Sequence, residues 1–422
     1  MFRHSTQRGW LIIAIAVGAG LVLLLLTSGG EDDEASLSKT AQVIAKSASA
    51  TCTRTLGPRT GLARALAKAE PGAVLCLRGG SYRGGRIPAE ATAKTAYVTV
   101  RPVPGEAPVI KGELAFDGAR YLRLTGLAFR GGLRFSPAAS HVQLIGNNLT
   151  GVGGIFFFGD SSQGGSTDSV LIQGNFIHDI DYSGSQGVYR GYGIKSIGAQ
   201  QGFTLRGNTI KSVAADYLQT DAANDWTVEG NRFLGPSLVA GHPQEHQDLW
   251  QVYAGGRDLE FSNNVARNTG TSQSLLLQMS YPSNRFSDVV VANNLFDHDS
   301  RGYSCQIYQS TGLVFRDNTI VGSRLGCVFR RDGRFPDGSG YEVVRNVVAE
   351  TARGSDIGIE SGVLGWGNFD FNVTNDRSAT GTGSIAGWRP RWANTVDYRP
   401  LGLPFTAGYR PNAGASSTQP AG

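Results

Sequence analysis

Between residues 142 and 346 the chain returns eight times to one phrase: an alternating apolar run, a small or polar residue, Asn, then a second apolar pair. The phrases are Val142-Gln-Leu-Ile-Gly-Asn147, Val170-Leu-Ile-Gln-Gly-Asn175, Phe203-Thr-Leu-Arg-Gly-Asn208, Trp226-Thr-Val-Glu-Gly-Asn231, Leu259-Glu-Phe-Ser-Asn-Asn264, Val289-Val-Val-Ala-Asn-Asn294, Leu313-Val-Phe-Arg-Asp-Asn318 and Tyr341-Glu-Val-Val-Arg-Asn346. Successive Asn positions lie 28, 33, 23, 33, 30, 24 and 28 residues apart. One phrase is too short to bury its own apolar face, whereas stacked phrases close a continuous interior, so the repeat predicts a solenoid. Its coils are expected about 4.8 Å apart, paired backbone to backbone. Uneven spacing then means that extra residues leave as loops where the coil turns. The recurring Asn reads as an inward polar ladder at a turn, where its amide bonds those above and below and tolerates left-handed geometry.

A second set of strands falls between these phrases, once per coil: Tyr192-Gly-Ile-Lys-Ser-Ile197, Tyr217-Leu-Gln-Thr-Asp221, Leu249-Trp-Gln-Val-Tyr253, Leu275-Leu-Leu-Gln-Met279, Ser304-Cys-Gln-Ile-Tyr308 and Gly326-Cys-Val-Phe-Arg330. Side chains alternate along a strand. Facing Leu218, Trp250, Val252, Leu277, Cys305, Ile307, Cys327 and Phe329 inward leaves a solvent row of Lys195, Gln219, Asp221, Gln251, Tyr253, Gln278, Gln306, Tyr308 and Arg330. Amides offer hydrogen bonds and phenols a flat apolar surface, which together suit pyranose rings in a groove several coils long. The same Gln residues can also form a ladder that merely stabilises the sheet surface.

Composition agrees with a β-rich body: 58 Gly, two Met and 17% charged residues in 422 suit short strands and tight turns better than a helical bundle. The net charge of +5 is scattered without a basic run, which argues against nucleic acid as a partner. Residues 11–26 are entirely apolar or Gly, preceded by Arg3 and Arg8 and followed by Glu31, Asp32, Asp33 and Glu34. That is a positive-inside export pattern. As a helix the run reaches about 24 Å against a hydrocarbon core of roughly 30 Å, so an uncleaved anchor and a cleaved signal peptide both stand. The organisation expected is a cytoplasmic N-terminus (1–9), a transmembrane signal-anchor or signal peptide (10–28), a linker (29–50), the solenoid (51–411) and a disordered tail (412–422). The body lies outside the cytoplasm, either held to the cell membrane by one span or secreted, and is expected to be a monomer. Four Cys in an exported chain read as two disulfides, with Cys52 and Cys76 flanking a helical stretch and Cys305 and Cys327 about one coil apart.

The repeat resembles that of the pectate-lyase-like superfamily, which includes carbohydrate-binding proteins and sugar hydrolases, over roughly residues 51–414. The resemblance implies an all-β, single-stranded right-handed parallel β-helix with a short N-terminal capping helix. Thr60-Gly-Leu-Ala-Arg-Ala-Leu-Ala-Lys-Ala69 fits that helix, and Pro71-Gly-Ala-Val-Leu-Cys-Leu-Arg-Gly-Gly-Ser-Tyr82 fits the first coil. Asp397-Tyr-Arg-Pro-Leu-Gly-Leu with Ala407-Gly408 looks like the last one. His246-Gln-Asp248-Leu-Trp-Gln251 resembles a His-x-Asp-x-x-Gln element of bacterial proteins with this fold, and Asp216-Tyr-Leu-Gln219 repeats part of it one coil earlier. Such an Asp either caps backbone amides or builds a binding wall.

Three chemistries fit these residues. β-Elimination on, or C5-epimerisation of, a uronic-acid polysaccharide needs a cation for the substrate carboxylate and a base for the adjacent proton. Lys195, His246 or Tyr253 would be the base, and Arg330 or Arg331 the carboxylate partner. Glycoside hydrolysis needs paired carboxylates, for which Asp221 and Asp248 come from neighbouring coils. A noncatalytic glycan-binding envelope protein would use the same row, with Gln219, Gln251, Gln278, Gln306, Tyr308 and Arg331 as contacts. No cofactor is expected; the resemblance leaves room for a calcium ion, but the sequence shows no clear acidic cluster like that of pectate lyases to hold it. The His178-Asp179 and Asp297-His298-Asp299 segments follow a repeat Asn, where polar turn residues belong.

Overall fold

A computed structural model of the chain describes residues 11–17, 20–26 and 51–410, apart from 137–138, 160–166, 182–190, 236–246, 280–284, 353–355, 375, 377, 390, 394–397 and 399. From residue 54 the chain winds as a right-handed parallel β-helix with three strands in a typical coil. The Asn sheet stacks Arg120–Thr125, Ser140–Ile145 and Thr167–Gln173, then continues through Phe286–Ala292 and Thr311–Arg316 to Tyr341–Val344. The back sheet, formed after each Asn, includes Ala128–Arg130, Thr209–Val213, Leu295–Asp297 and Val347–Ala349. The groove sheet stacks Leu133–Phe135, Ile155–Phe158, Ile194–Arg206, Leu218–Glu229, Asp248–Val252, Gln273–Leu277, Tyr303–Ile307 and Leu325–Phe329. Ile194–Arg206 and Leu218–Glu229 run unbroken round the corner into the Asn sheet. Inside, rings stack from coil to coil, as in Phe116–Phe135–Phe157, whose centroids lie 5.2 and 4.9 Å apart, close to the rung spacing.

The expected Asn ladder is present and longer than the repeat that announced it. The Oδ1 of Asn175 accepts from both the backbone N–H and the Nδ2 of Asn147, at 2.9 and 3.0 Å, and the same double contact recurs through Asn208, Asn231, Asn264, Asn294, Asn318 and Asn346 to Asn372. Each Nδ2 also reaches a backbone carbonyl of an earlier coil, such as Ile172 O from Asn208. The left-handed residue is not the Asn but the one before it. Gly146, Gly174, Gly207 and Gly230 hold that place first, then Asn263, Asn293, Asp317 and Arg345, all at φ of 53 to 62°. Gly enters this region without Cβ strain, while the later coils meet it with Asn, Asp or a strained Arg.

The capping helix spans Leu62–Ala67 and buries Leu62, Ala65 and Leu66 over the open N-terminal end, the cover that an exposed sheet edge requires. A rung already precedes it, because Arg54–Leu56 pairs with Val74–Leu77. The disulfide Cys52–Cys76 ties that first rung, and Cys305–Cys327 joins two directly paired positions of the groove sheet, both buried. At the other end the segment expected as the last coil does something else. Described residues between Ile385 and Arg410 double back over the outer side of the back sheet, where Tyr398 packs on Leu295 and Val321, and Ala407 and Phe405 pack with Val347 and Val373. Tyr409 N–H donates to Thr319 Oγ1 at 2.8 Å, and Asn293 Nδ2 to Arg410 O at 2.9 Å. The outer face of these coils carries Leu295, Val321, Val347 and Val373, so it needs a cover rather than water.

The apolar run near the N-terminus differs from the membrane helix expected there. Leu11–Val17 and Gly20–Leu26 pair as antiparallel strands, in keeping with their β-branched Ile and Val. Among the described residues no helix is long and apolar enough to cross a membrane.

One buried carboxyl lies between the groove and back sheets. Asp299 is fully buried and is approached by the hydroxyls of Ser304 and Ser323, which donate to its Oδ1. Burial pushes its pKa up, and the neighbouring hydroxyls of Ser274, Ser323 and Ser304 only partly oppose that. The folded state therefore holds this proton more tightly than the unfolded chain. Its contribution to stability is complete below the ordinary Asp value and is lost as pH rises through the folded value. Asp299→Asn is expected to flatten that slope, which urea unfolding of both proteins between acidic and neutral pH will reveal. An identical slope in the variant rules Asp299 out as its source.

Candidate functional site

Two columns of side chains run up the outer face of the groove sheet, one residue per coil. Strand register aligns Phe156, Lys195, Gln219, Gln251, Leu276, Gln306 and Val328 in the first. Backbone bonds from Ala254 N to Asp221 O, Gln278 N to Val252 O, Tyr308 N to Leu277 O and Arg330 N to Ile307 O carry the second, which holds Asp221, Tyr253, Gln278, Tyr308 and Arg330. The inward set, from Leu218 and Trp250 to Phe329, is buried as expected. The second column is polar at every rung, as alternation predicted, while Leu276 and Val328 interrupt the first at 3% and 6% exposure, so its polar residues gather into a patch beside Lys195 and another beside Arg330.

The first patch occupies three successive coils. Lys195 was expected in solvent but is only 5% exposed, with Nζ 4.0 Å from the centroid of the Tyr192 ring, a cation–π contact. Phe156, one rung earlier, meets Tyr192 edge to face at 6.4 Å and Phe158 at 6.3 Å, so an aromatic wall stands beside the ammonium. Asp221 Oδ2 accepts the Gly198 N–H at 2.9 Å, and its Oδ1 is buried with no hydrogen-bond partner among the described residues. Gln219 Nε2 donates to Gln251 Oε1 and to Asp216 Oδ2, both at 2.8 Å. Tyr253 is half-buried one rung above Asp221. His246 lies outside the described residues.

The Asp-x-x-Gln repeat resolves into a corner device. Asp216 and Asp248 are fully buried. Asp216 Oδ1 accepts the Asp248 N–H at 2.6 Å, and Asp248 Oδ1 accepts the Gln273 N–H at 3.0 Å, so each carboxylate caps the backbone of the next coil. Asp248 thus lies behind the outer face rather than opposite Asp221 upon it.

The second patch is self-contained. Gln306 Nε2 donates to the Tyr308 hydroxyl at 3.0 Å. Arg330 pairs with Glu360 at 3.1 Å and lies over the Tyr303 ring, while Arg331 makes a bidentate pair with Asp337 at 2.7 and 3.0 Å. Five rungs, about 24 Å, separate Val328 beside Arg330 from Lys195, so these cations do not serve the same sugar as Lys195. The remaining His segments bond to side chains near them. His178 bonds Asp179 and Asn148, and His298 bonds Asp297 at 2.6 Å, both on or beside the back sheet. Among the described residues no three of His, Cys, Asp and Glu are grouped to hold a metal ion.

The aromatic wall of Phe156, Phe158 and Tyr192 escaped sequence reasoning, although Ile155-Phe-Phe-Phe158 carried a signal: alternation must turn two of its rings outward.

No family model matches the sequence, and neither does any curated protein. Solved structures do match. PfbA, a surface adhesin of Streptococcus pneumoniae, superposes with a TM-score of 0.51 at 11% identity, over 68% of this chain and 85% of that one. The PL6 family alginate lyase AlyGC gives 0.47 at 13% identity, over 81% of this chain and 54% of that one. An alginate lyase from Paenibacillus sp. str. FPU-7 gives 0.35 at 16% identity, over 69% and 98%. The likeness to PfbA, at so low an identity, shows a common fold alone, the parallel β-helix that the repeat resembles.

Proposed function

We propose that this chain works outside the cytoplasm on a uronic-acid-containing polysaccharide, as a lyase or C5-epimerase centred on Lys195. The observation that carries this reading is the buried Lys195 ammonium beside Tyr192, one rung from Gln219 and within three coils of Asp221 and Tyr253. Two disulfides support an oxidising compartment.

Both reactions begin with loss of the proton on C5, next to the uronate carboxylate. That carbon becomes acidic enough only when the carboxylate charge is neutralised, and a cation withdrawn from water does this more strongly than one in solvent. In this reading Lys195 supplies the cation and the Tyr253 hydroxyl, one rung from Asp221 on the same face, exchanges the proton. In elimination the electron pair left on C5 forms a double bond to C4 as the C4–O bond breaks, and the leaving oxygen takes a proton from the Tyr253 hydroxyl or from water. In epimerisation a proton returns to C5 from the other face. Gln219 and Gln251 hold the sugar by its hydroxyls. Hydrolysis is less supported, because Asp248 caps a backbone turn and leaves Asp221 without it as a partner.

Incubation of the purified protein with a panel of uronate and neutral polysaccharides tests the proposal. New ultraviolet absorbance from unsaturated ends, or inversion at C5 seen by nuclear magnetic resonance, is the expected result on a polyuronate. New reducing ends without absorbance would establish hydrolysis instead, and binding without either signal a noncatalytic role. Arg330→Gln and Arg331→Gln are expected to stay within about threefold of the parent rate. A loss of activity comparable to that of Lys195 variants would place the reaction in the other patch.

A further inference from the structure

The outer face near Lys195 carries two amides whose orientation is dictated from behind. Asp216 is fully buried, and an aspartate carboxylate can only accept hydrogen bonds. Its Oδ1 takes the Asp248 N–H, and its Oδ2 takes Gln219 Nε2. That same Nε2 gives its other hydrogen to Gln251 Oε1. Both hydrogens of the Gln219 amide are then used, so the group it can still offer is its carbonyl oxygen. Gln251 has the reverse balance, with its carbonyl engaged and its NH2 left to donate. Turning the Gln219 amide over would set oxygen against oxygen at the carboxylate and at Gln251, and turning the Gln251 amide over would set one NH2 against the other. The next rung is Leu276, which cannot accept from Gln251. The pair therefore presents one acceptor and one donor on adjacent rungs, about 4.8 Å apart along the solenoid.

We infer that Asp216 is a positioning residue that sets the direction of this amide pair, and that the pair reads two vicinal hydroxyls of one pyranose. One hydroxyl donates to Gln219 Oε1 while its neighbour accepts from Gln251 Nε2. A (1→4)-linked uronate leaves O2 and O3 free as such a pair. The inference rests on the proposed use of this face for polysaccharide and adds which part of the sugar is read there. A site built to hydrogen-bond a hydroxyl rejects an analogue lacking the matching group more strongly than an apolar pocket does.

The test compares short (1→4)-linked oligogalacturonate and oligomannuronate with the same oligomers after periodate cleavage of C2–C3 and borohydride reduction. Affinities are measured by titration calorimetry on the full chain carrying Tyr253→Phe, which suppresses turnover. The parent is expected to prefer the intact form of at least one oligomer by about tenfold or more. Asp216→Asn keeps an acceptor for the Asp248 N–H but offers Nδ2 to Gln219, reversing the pair, and is expected to reduce that preference below about threefold. Gln251→Glu still accepts from Gln219 but cannot donate, and is expected to do the same, so it carries the test if Asp216→Asn fails to fold. Opening the ring adds flexibility that penalises every protein alike, and a merely structural defect weakens both ligands together, so the ratio isolates the pair. An unchanged preference in the folded variants overturns the inference while leaving the polysaccharide reading intact. No binding of either intact oligomer by the parent overturns both.

Discussion

Lys195→Met is expected to reduce polyuronate turnover by roughly a thousandfold while leaving the protein folded, which is the loss typical of removing a preorganised charge partner from a reacting centre. Met keeps the length and the apolar stem of Lys195 and still packs against Tyr192, so the substitution removes charge rather than volume. The protein is expected to stay folded, because Met fills nearly the same volume on the same packed face. Initial rates of ultraviolet absorbance, together with a urea unfolding curve, measure both effects. Residual activity within tenfold of the parent would remove Lys195 from the reaction and with it the proposed mechanism.

Asn231→Ala is the corresponding test of the interior. Asn231 Oδ1 accepts from the backbone N–H and Nδ2 of Asn208, and its own Nδ2 donates to Leu205 O and Asn264 Oδ1. Removing the amide strands these groups where water does not reach. With each orphaned group costing about 1–3 kcal/mol, partly relieved by relaxation, a loss of about 4 kcal/mol is expected. Asn372→Ala, at the upper end of the ladder, is expected to cost about half as much, since only one Asn neighbour depends on it. Urea unfolding monitored by circular dichroism supplies both values. If the two variants lose equally little, the ladder is an ornament of the fold rather than one of its supports.

The repeat was legible because its physical cause is periodic. Apolar alternation and the Asn return once per coil, so the Asn sheet, the buried ladder and the inward faces of the groove sheet could all be read from residues 142–346. The left-handed turn fell one residue earlier than expected because its signature changes along the chain, from Gly146 and Gly230 to Asn263 and Arg345. Alternation assigns a side chain to a face but does not say how wet that face is. Lys195, Leu276 and Val328 all point outward as the pattern requires, yet they are buried. Distance along the solenoid was legible as well: Lys195 and Arg330 share one row but lie several coils apart in the repeat, in keeping with the five rungs from Lys195 to Val328. Asp248 looked like half of a catalytic pair because the sequence gives a carboxylate its coil but not its partner, the Gln273 N–H. The closing segment was misread for a related reason. Tyr398 and Ala407 resemble coil residues in composition, but their contacts are with coils far earlier in the chain, at separations such as the 101 residues between Tyr398 and Asp297.

That returning segment alters how the molecule breathes. A bare linear stack frays from its last rung, because the terminal repeat has one neighbour while every other has two. Here Arg410 is fastened to Asn293 and Gly408 to Arg345, so coils on either side of Asn318 are held by a connection that bypasses the rungs between them. Opening the final coil then requires releasing contacts several coils lower. Amide protons of Val347–Ala349 and Val373–Thr374 are accordingly expected to exchange with solvent as one slow group with those of Leu295–Asp297, rather than in order of their distance from the end.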